Sequence, residues 1–377
     1  MIYLDSAATS FHKPRCVTDA VVRALSDFGN PSRGAHSASL DASRTVYETR
    51  RLLSSFFNAP SPERVVFTSN STEALNTALY GLLSEGDGVI TTDAEHNSVL
   101  RPLYDLERRG VITLDFVHCD EKGNMDYAEF ERLIRKNTRL IVMTHASNVT
   151  GTVYDISLAG RIAREHGLLF VVDASQSAGI IPIDIEEAGI SVLCFTGHKS
   201  LLGPQGTGGM CIADGVEIAP LKRGGTGVQS YLEDMPSAYP VRLEAGTLNS
   251  HSIAGLNASL RYILDKGIDT LYREEMKYAD FFYESLRDVP SLTFYGDMEK
   301  KRTAIVSLNV KDYSSSDTAD YLASHWDIAV RAGAHCAPRM HRALGTEKRG
   351  VVRFSFSPFN TLSEVETAVD AIREIAL

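Results

Sequence analysis

Cysteine is scarce in this chain. There are five among 377 residues (Cys16, Cys119, Cys194, Cys211 and Cys336), odd in number and without C-x-x-C spacing. This argues against a disulfide framework, and the compartment expected from such usage is the reducing cytoplasm. Blocks of like charge are also missing. The 38 basic and 48 acidic residues are interspersed and leave a net charge of −10, which argues against nucleic acid or an anionic membrane as the main partner. No apolar stretch reaches the roughly 20 residues that a bilayer-spanning helix needs. The opening Met1-Ile2-Tyr3-Leu4-Asp5 has no basic start followed by an apolar run, so a signal peptide is not expected. Internal repeats and low-complexity tracts are absent as well.

What remains is ordinary material for a globular enzyme, 44% hydrophobic and 23% charged. At this length one large and one smaller domain are expected. An N-terminal arm runs to about Phe11, Pro14 opens a helix that ends near Gly29-Asn30, and residues 38–57 carry an interrupted helical stripe. Short apolar runs at 65–68, 88–91, 111–114, 140–143, 168–172 and 192–195 then alternate with helical segments near 72–84, 97–109, 126–136 and 155–166. The alternation predicts an α/β fold with a mostly parallel sheet covered on both faces. After about Ser250 the pattern changes. Two long helical stretches (250–266 and 268–288) precede strands at 304–308 and 351–355, with helices near 315–325 and 361–376. This predicts a smaller α+β unit. The expected division is a large domain over 12–250 and a small domain made of 1–11 and 251–377.

Ligands of such sheets bind outside the carboxyl ends of the strands. Lys199 stands there, in Thr196-Gly197-His198-Lys199 after the run at 192–195, and a glycine-rich loop over 203–209 follows it. Asp173 stands there too, ending the run at 168–172. An amine and a carboxylate at two strand ends suit pyridoxal 5′-phosphate (PLP). The lysine holds the aldehyde as a Schiff base, and the acid keeps the pyridinium nitrogen protonated so that the ring stays an electron sink. One such residue alone reads as a surface cation or a helix cap. Two at matched strand ends, with related groups nearby, read as a cofactor site. Ser71-Thr72-Glu73 begins a helix and suits a phosphate, although a plain cap is the blander reading. His96 leaves another strand and can stack on a pyridine ring. Gln176 can donate to the cofactor's phenolic oxygen. Asn148 also leaves a strand at this edge, although Asn before a turn needs no function.

The run Arg331-Ala332-Gly333-Ala334-His335-Cys336-Ala337-Pro338 decides between chemistries. Cys336 lies between Gly and Pro among Arg331, His335, Arg339, His341 and Arg342, which predicts an electropositive, mobile loop that favours the nucleophilic thiolate. Cys194 and Cys211 fall in apolar strands and read as core. His335, Cys336 and His341 are too few for a closed zinc site, so no metal is expected. Arg353, in the strand after this loop, suits a bidentate clamp on a substrate carboxylate, against the plainer reading of a surface ion pair.

With these residues in view the chain resembles the class V, fold type I PLP enzymes, and within them the cysteine desulfurase and selenocysteine lyase group. The likeness runs through Tyr3-Leu4-Asp5-Ser6-Ala7-Ala8-Thr9, Arg33-Gly34-Ala35-His36, Ser71-Thr72-Glu73-Ala74, Glu95-His96-Asn97 and Ser147-Asn148-Val149. It continues through Asp173-Ala174-Ser175-Gln176, Thr196-Gly197-His198-Lys199, Glu244-Ala245-Gly246-Thr247, the Cys336 run and Arg353-Phe354-Ser355. The short Arg-Ala-Gly-Ala-His-Cys-Ala run is similar to the group II desulfurases. The resemblance implies that Lys199 is the Schiff-base lysine, Asp173 pairs with the pyridine nitrogen, His96 stacks on the ring and Gln176 meets its phenolic oxygen. It implies that Ser71, Thr72, Thr196 and His198 bind phosphate, joined by Thr247 from the neighbouring subunit of a homodimer. It further implies that Arg353 and Asn148, with Arg33 and Arg331, contact substrate, and that Cys336 takes the sulfur.

The sequence departs from that pattern at Ser6, where Asn is common, at Ser69-Asn70-Ser71-Thr72, and at Gly224-Gly225-Thr226-Gly227. These departures weaken any transfer of a particular sulfur acceptor or pathway. The activity expected is conversion of L-cysteine to L-alanine with sulfur passed to Cys336 and on to an acceptor protein or small thiol, and L-selenocysteine fits the same site. The rival is an aminotransferase or another class V lyase in which Cys336 is a bystander. A non-enzymatic sulfur-delivery protein is a third reading, opposed by the intact Lys199 and Asp173.

Overall fold

The structure is a computed structural model that describes residues 1–31 and 34–377. Seven strands form its larger sheet. Their spatial order is Val65–Thr68, Gly208–Ile212, Val192–Thr196, Leu169–Asp173, Thr138–Thr144, Asp87–Thr92 and Ile112–Val117. The last five are mutually parallel, whereas Gly208–Ile212 runs antiparallel to both of its neighbours. The strands read as continuous apolar runs because both faces are covered. Ile141, Phe170, Val172, Leu193 and Phe195 point into one helical layer. Leu140, Val142, Val171, Val192 and Cys194 point into the other. Each such side chain contributes about 1.5–3 kcal/mol on burial.

The glycine-rich loop expected over 203–209 is shorter than the sequence predicts, since a strand starts at Gly208. Glycine weakens a strand unless a close approach requires it. A Cβ at position 209 would lie 2.5 Å from the Val66 carbonyl oxygen and 2.7 Å from Cζ of Phe195, so only glycine fits between these strands.

The second sheet is antiparallel, in the order Arg331–Gly333, Val351–Ser355, Ile305–Val310 and Leu292–Tyr295. Val306, Leu308, Val352 and Phe354 pack beneath the helices Ile268–Leu286 and Leu362–Ala376. The N-terminal arm joins this unit. Ile2–Tyr3 pairs in parallel with Ile328–Ala329, Leu4 is buried in the same core, and Asp5 bridges to Ser355. The helix Ser250–Lys266, which the sequence places with the small domain from 251 onward, packs with the large one. Its Ile253, Leu256, Leu260 and Ile263 lie in the large core, facing the helices Arg15–Asp27 and Ser37–Phe57. Among the described residues no helix is long and apolar enough to cross a membrane, and no group of three His, Cys, Asp or Glu side chains is placed to hold a metal ion.

Candidate active site

Parallel strands bring their carboxyl ends to one edge, and there Ser71, Thr72, His96, Asn148, Asp173, Gln176, Thr196, His198 and Lys199 line one cavity of about 490 Å³. Asp173 is the last residue of its strand and is buried. Its Oδ1 accepts from the Ser175 N–H at 2.9 Å and from the Ser71 hydroxyl at 3.3 Å. The Ser71 hydroxyl is therefore directed at the carboxylate. The N-cap of the helix Ser71–Leu82 is Asn70, whose side chain accepts the Glu73 N–H at 2.9 Å, so Ser71 and Thr72 occupy the first turn and not the cap. The Ser71 and Thr72 N–H groups have no intrahelical acceptor, and both residues line the cavity, a setting that suits a phosphate. The Thr72 hydroxyl sits 2.7 Å from that of Ser98.

The ring of His96 has a determined tautomer. The Ser98 N–H donates to Nδ1 at 3.0 Å, so the proton of the neutral ring is on Nε2. Burial, with the nearby Lys199 ammonium second, lowers the pKa of His96 to about 4. His198 is also lowered to about 4, by burial first and by Lys199 and Lys13 after it. Lys199 itself is lowered to about 8. Burial is the main cause, Asp173 opposes it, and Arg353 and Arg331 add to it. A lysine at that value carries a useful neutral fraction at neutral pH. Gln176 donates through Nε2 to the Ala7 carbonyl at 3.1 Å, and its second amide hydrogen remains. The Thr196 hydroxyl lies 3.5 Å from the Thr207 carbonyl.

The cysteine arrives from the small unit. The Cys336 carbonyl accepts the Asn97 N–H at 2.7 Å, which docks its peptide on the helix that starts beside His96. Asn148 Nδ2 donates to the His335 carbonyl at 2.6 Å, and the Asn148 carbonyl accepts Arg353 Nη1 at 2.9 Å. Arg353 is buried, pairs through Nη2 with Asp5 at 2.8 Å, and keeps a buried Nε with no partner. One chain of contacts thus joins arginine, asparagine and the cysteine loop. His335 and Cys336 both adopt left-handed backbone, with φ of 49° and 56°.

The loop differs from its sequence expectation in two respects. It is anchored by the Asn97 and Asn148 bonds and is followed by a short helix, Pro338–Ala343. Most of its basic residues are also spent. Arg339 pairs with Asp93 at 2.6 Å and covers the Phe116 ring, and Arg342 pairs with Glu347. His335 is held neutral, its pKa pushed down to about 3 by burial and by Arg353. His341 is lowered as well, by burial. Arg331 remains exposed, its backbone paired opposite Arg353.

Of the other expected residues, Thr247 is exposed and lies in a separate cleft beside Lys222 and Glu73, not in the cavity with Lys199. Arg33 lies outside the described residues. Sequence reasoning did not find Asp5, Ser98 or Ser175. The two serines each stand two residues after a site residue, a spacing typical of side chains that bond local backbone and neighbours. Glu95 was missed too. It is fully buried, accepts from the Thr92 hydroxyl at 2.6 Å and the Thr144 N–H at 2.9 Å, and has its pKa raised to about 8 by burial. It ties two strand ends together under the cavity.

The profile of the family described as Aminotransferase class-V matches residues 2–367. A probable cysteine desulfurase of Methanothermobacter thermautotrophicus is 36% identical, covering 100% of this chain and 94% of the relative. A cysteine desulfurase of Haloferax volcanii is 32% identical, covering 99% of this chain and 88% of the relative. Among solved structures, the apo cysteine desulfurase of Thermococcus onnurineus NA1 superposes with a TM-score of 0.92 at 34% identity, over 100% of this chain and 94% of the other. A cysteine desulfurase of Escherichia coli gives 0.89 at 27% identity, over 99% and 94%.

Proposed function

This chain belongs to the class-V aminotransferase family, and on that premise we propose that it is a PLP-dependent cysteine desulfurase, converting L-cysteine to L-alanine while Cys336 takes the sulfur as a persulfide. The observation that supports the reading is the docking of the Cys336 peptide on the Asn97 N–H, at the start of the helix beside His96, a residue that lines the cavity with Lys199.

The residues present fit the cofactor. Asp173 is a buried carboxylate suited to the pyridine nitrogen, and the flat, neutral ring of His96 suits a stacked aromatic. Thr72, Thr196 and His198 suit the phosphate, and Ser71, whose hydroxyl is turned to Asp173, serves it through its backbone N–H at the helix start. Gln176 has an amide hydrogen for the phenolic oxygen. PLP, when bound, supplies an aldehyde and an electron sink that loosens the bonds at the substrate Cα. Lys199 moves a proton at that carbon, a role for which a pKa of about 8 is well placed. The unpartnered Nε of Arg353 suits the substrate carboxylate, with Asn148 and Arg331 beside it. The Cys336 thiolate attacks the substrate sulfur. The S–S bond forms as the substrate C–S bond breaks, and the carbon skeleton leaves as alanine with a proton in place of sulfur. A protein or small thiol then takes the sulfur from Cys336. In a homodimer, the exposed Thr247 of each chain is free to serve the other chain's phosphate. The cysteine usage favours a cytoplasmic setting.

The test is incubation with L-cysteine, with alanine and sulfide measured with and without a thiol reductant, and mass spectrometry of the Cys336 peptide before reduction. One added sulfur there supports the reading. A requirement for a keto acid, with no added sulfur, turns the assignment to an aminotransferase.

A further inference from the structure

The donors around the Asp173 carboxylate are distributed unevenly. The side chain is buried, and among the described residues no cationic side chain bonds to it. A buried carboxylate is costly unless hydrogen bonds replace its water. Here they all fall on one oxygen. Oδ1 accepts from the Ser175 N–H at 2.9 Å, from the Ser175 hydroxyl, and from the Ser71 hydroxyl at 3.3 Å. Three donors exceed the two lone-pair sites of that atom. Oδ2 receives no donor among the described residues, although Asp173 lines the cavity with Lys199.

The Ser71 hydroxyl reaches the acid because a neighbour does its usual work. Serine at a helix start ordinarily caps the helix, but Asn70 takes that place by accepting the Glu73 N–H. Ser71 is buried, and its hydroxyl bonds Asp173 across 102 positions of sequence. The next hydroxyl goes elsewhere. That of Thr72 lies 2.7 Å from the Ser98 hydroxyl, which lies 2.8 Å from Nδ1 of His96. Ser175 acts locally, its N–H and hydroxyl folding back on the acid two residues before it, as in an Asx turn. The backbone of Asp173 is fastened too, since its carbonyl accepts the His145 N–H at 2.9 Å. Both the peptide and one carboxylate oxygen of Asp173 are therefore fixed.

We infer that Ser71 and Ser175 are positioning residues for Asp173: they hold Oδ1, and so leave Oδ2 as the oxygen for the pyridine nitrogen of the cofactor. The Ser71 hydroxyl then serves the ring end of the ligand, while the phosphate end is left to the backbone N–H of the same residue and to Thr72, Thr196 and His198. A carboxylate held in one rotation meets its partner without first losing that freedom, which strengthens binding.

The inference rests on the reading of the cavity as a PLP site, and its test reads binding without turnover. Pyridoxal 5′-phosphate and pyridoxal share the ring nitrogen and the aldehyde and differ in the phosphate. Each is titrated into apo protein, and its dissociation constant is taken from the absorbance change. Ser71→Ala removes the hydroxyl and keeps the backbone N–H. It is expected to weaken both probes by the same factor, about fivefold, the size of one net hydrogen bond. Ser175→Ala is expected to do the same, and serves if Ser71→Ala folds poorly. Ser71→Thr keeps the hydroxyl and is expected to bind both probes as the wild type does, a rescue that lost packing alone would not give. Weakening of pyridoxal 5′-phosphate with pyridoxal unchanged would assign the hydroxyl to the phosphate and overturn the inference. Unchanged binding of both probes in the alanine variants overturns it as well, as does a threonine variant as weak as the alanine one. All three of those outcomes leave the functional reading standing, whereas a wild-type protein that binds neither probe overturns both.

Discussion

The two walls of the cavity are built differently. The lysine wall is made of strand ends from one parallel sheet, and its groups are held redundantly. Asp173 receives two serines, His96 is fixed by Ser98, and the His198 carbonyl takes four donors. The cysteine wall is a loop from the antiparallel unit, held to the other wall by the Asn97–Cys336 and Asn148–His335 bonds, with two consecutive residues in left-handed backbone. Non-glycine residues adopt that conformation at a cost and persist there only when the surroundings impose it. The difference follows from the roles proposed. A cofactor wall has to hold one geometry, whereas a sulfur carrier has to receive an atom inside the cavity and present it outside.

Breaking the lysine wall gives the largest effect. Lys199→Ala removes both the covalent anchor and the proton carrier, and sulfide production from L-cysteine is expected to fall by about four orders of magnitude. Borohydride reduction of the wild-type holoprotein should fix the cofactor on the Lys199 peptide, and labelling of another lysine would contradict the assignment.

Breaking the cysteine wall comes next and is the cleaner comparison. Cys336→Ser leaves every group on the lysine wall in place, so cofactor binding and its absorbance are expected to be unchanged. Sulfide production should drop by about a thousandfold, because a hydroxyl is a far poorer nucleophile towards sulfur than a thiolate. Full activity in this variant, or sulfur found on Cys16, Cys119, Cys194 or Cys211 instead, would show that the loop is not the carrier.

Arg353 joins the walls, and its variant sharpens the contrast. Arg353→Lys loses the planar fork and leaves Asp5 and the Asn148 carbonyl facing a point charge. The KM for L-cysteine is expected to rise about tenfold or more with a smaller change in kcat, since the carboxylate contact serves ground state and transition state alike. An unchanged KM would place the carboxylate elsewhere.

The lysine wall was largely legible in the sequence for a physical reason. Parallel strands read as short apolar runs, their ends fall at one edge, and polar residues there have few purposes other than a ligand. That logic located Lys199, Asp173, His96 and Asn148 without coordinates. The cysteine wall was legible only as a composition. Arg339, His341 and Arg342 crowd Cys336 in sequence, yet Arg339 turns to Asp93, which is 246 positions away, and burial lowers the pKa of His341. Long-range pairing of that kind leaves no local trace. The same holds for Asp5 with Arg353, separated by 348 positions. The helix Ser250–Lys266 was found with its bounds intact, but its packing against the larger core was not legible, because periodicity reports that a helix has an apolar face and not which core receives it.

The smallest effect is a test of the claim that the cysteine wall carries no histidine charge. His335 is buried, its Nε2 lies 3.2 Å from the Arg331 carbonyl, and its folded pKa is about 3 against an ordinary 6.5. Burial is the chief cause and the Arg353 guanidinium the next. A base whose folded pKa is depressed binds fewer protons folded than unfolded, so acidification favours the unfolded chain. The stability loss starts as pH falls below 6.5 and grows until the folded ring itself titrates near 3. Between about pH 7.5 and about pH 5.5 this one residue should cost about 1.4 kcal/mol, the price of one pH unit below the unfolded value. His335→Gln keeps a side-chain donor for the Arg331 carbonyl and does not titrate. Urea denaturation of both proteins at the two pH values isolates the residue, because all other titrating groups are shared. The gap between wild type and variant should move by that amount in the variant's favour at the lower pH. A gap that stays constant would mean that His335 is protonated in the folded loop at the lower pH, and that the cysteine wall is electropositive after all.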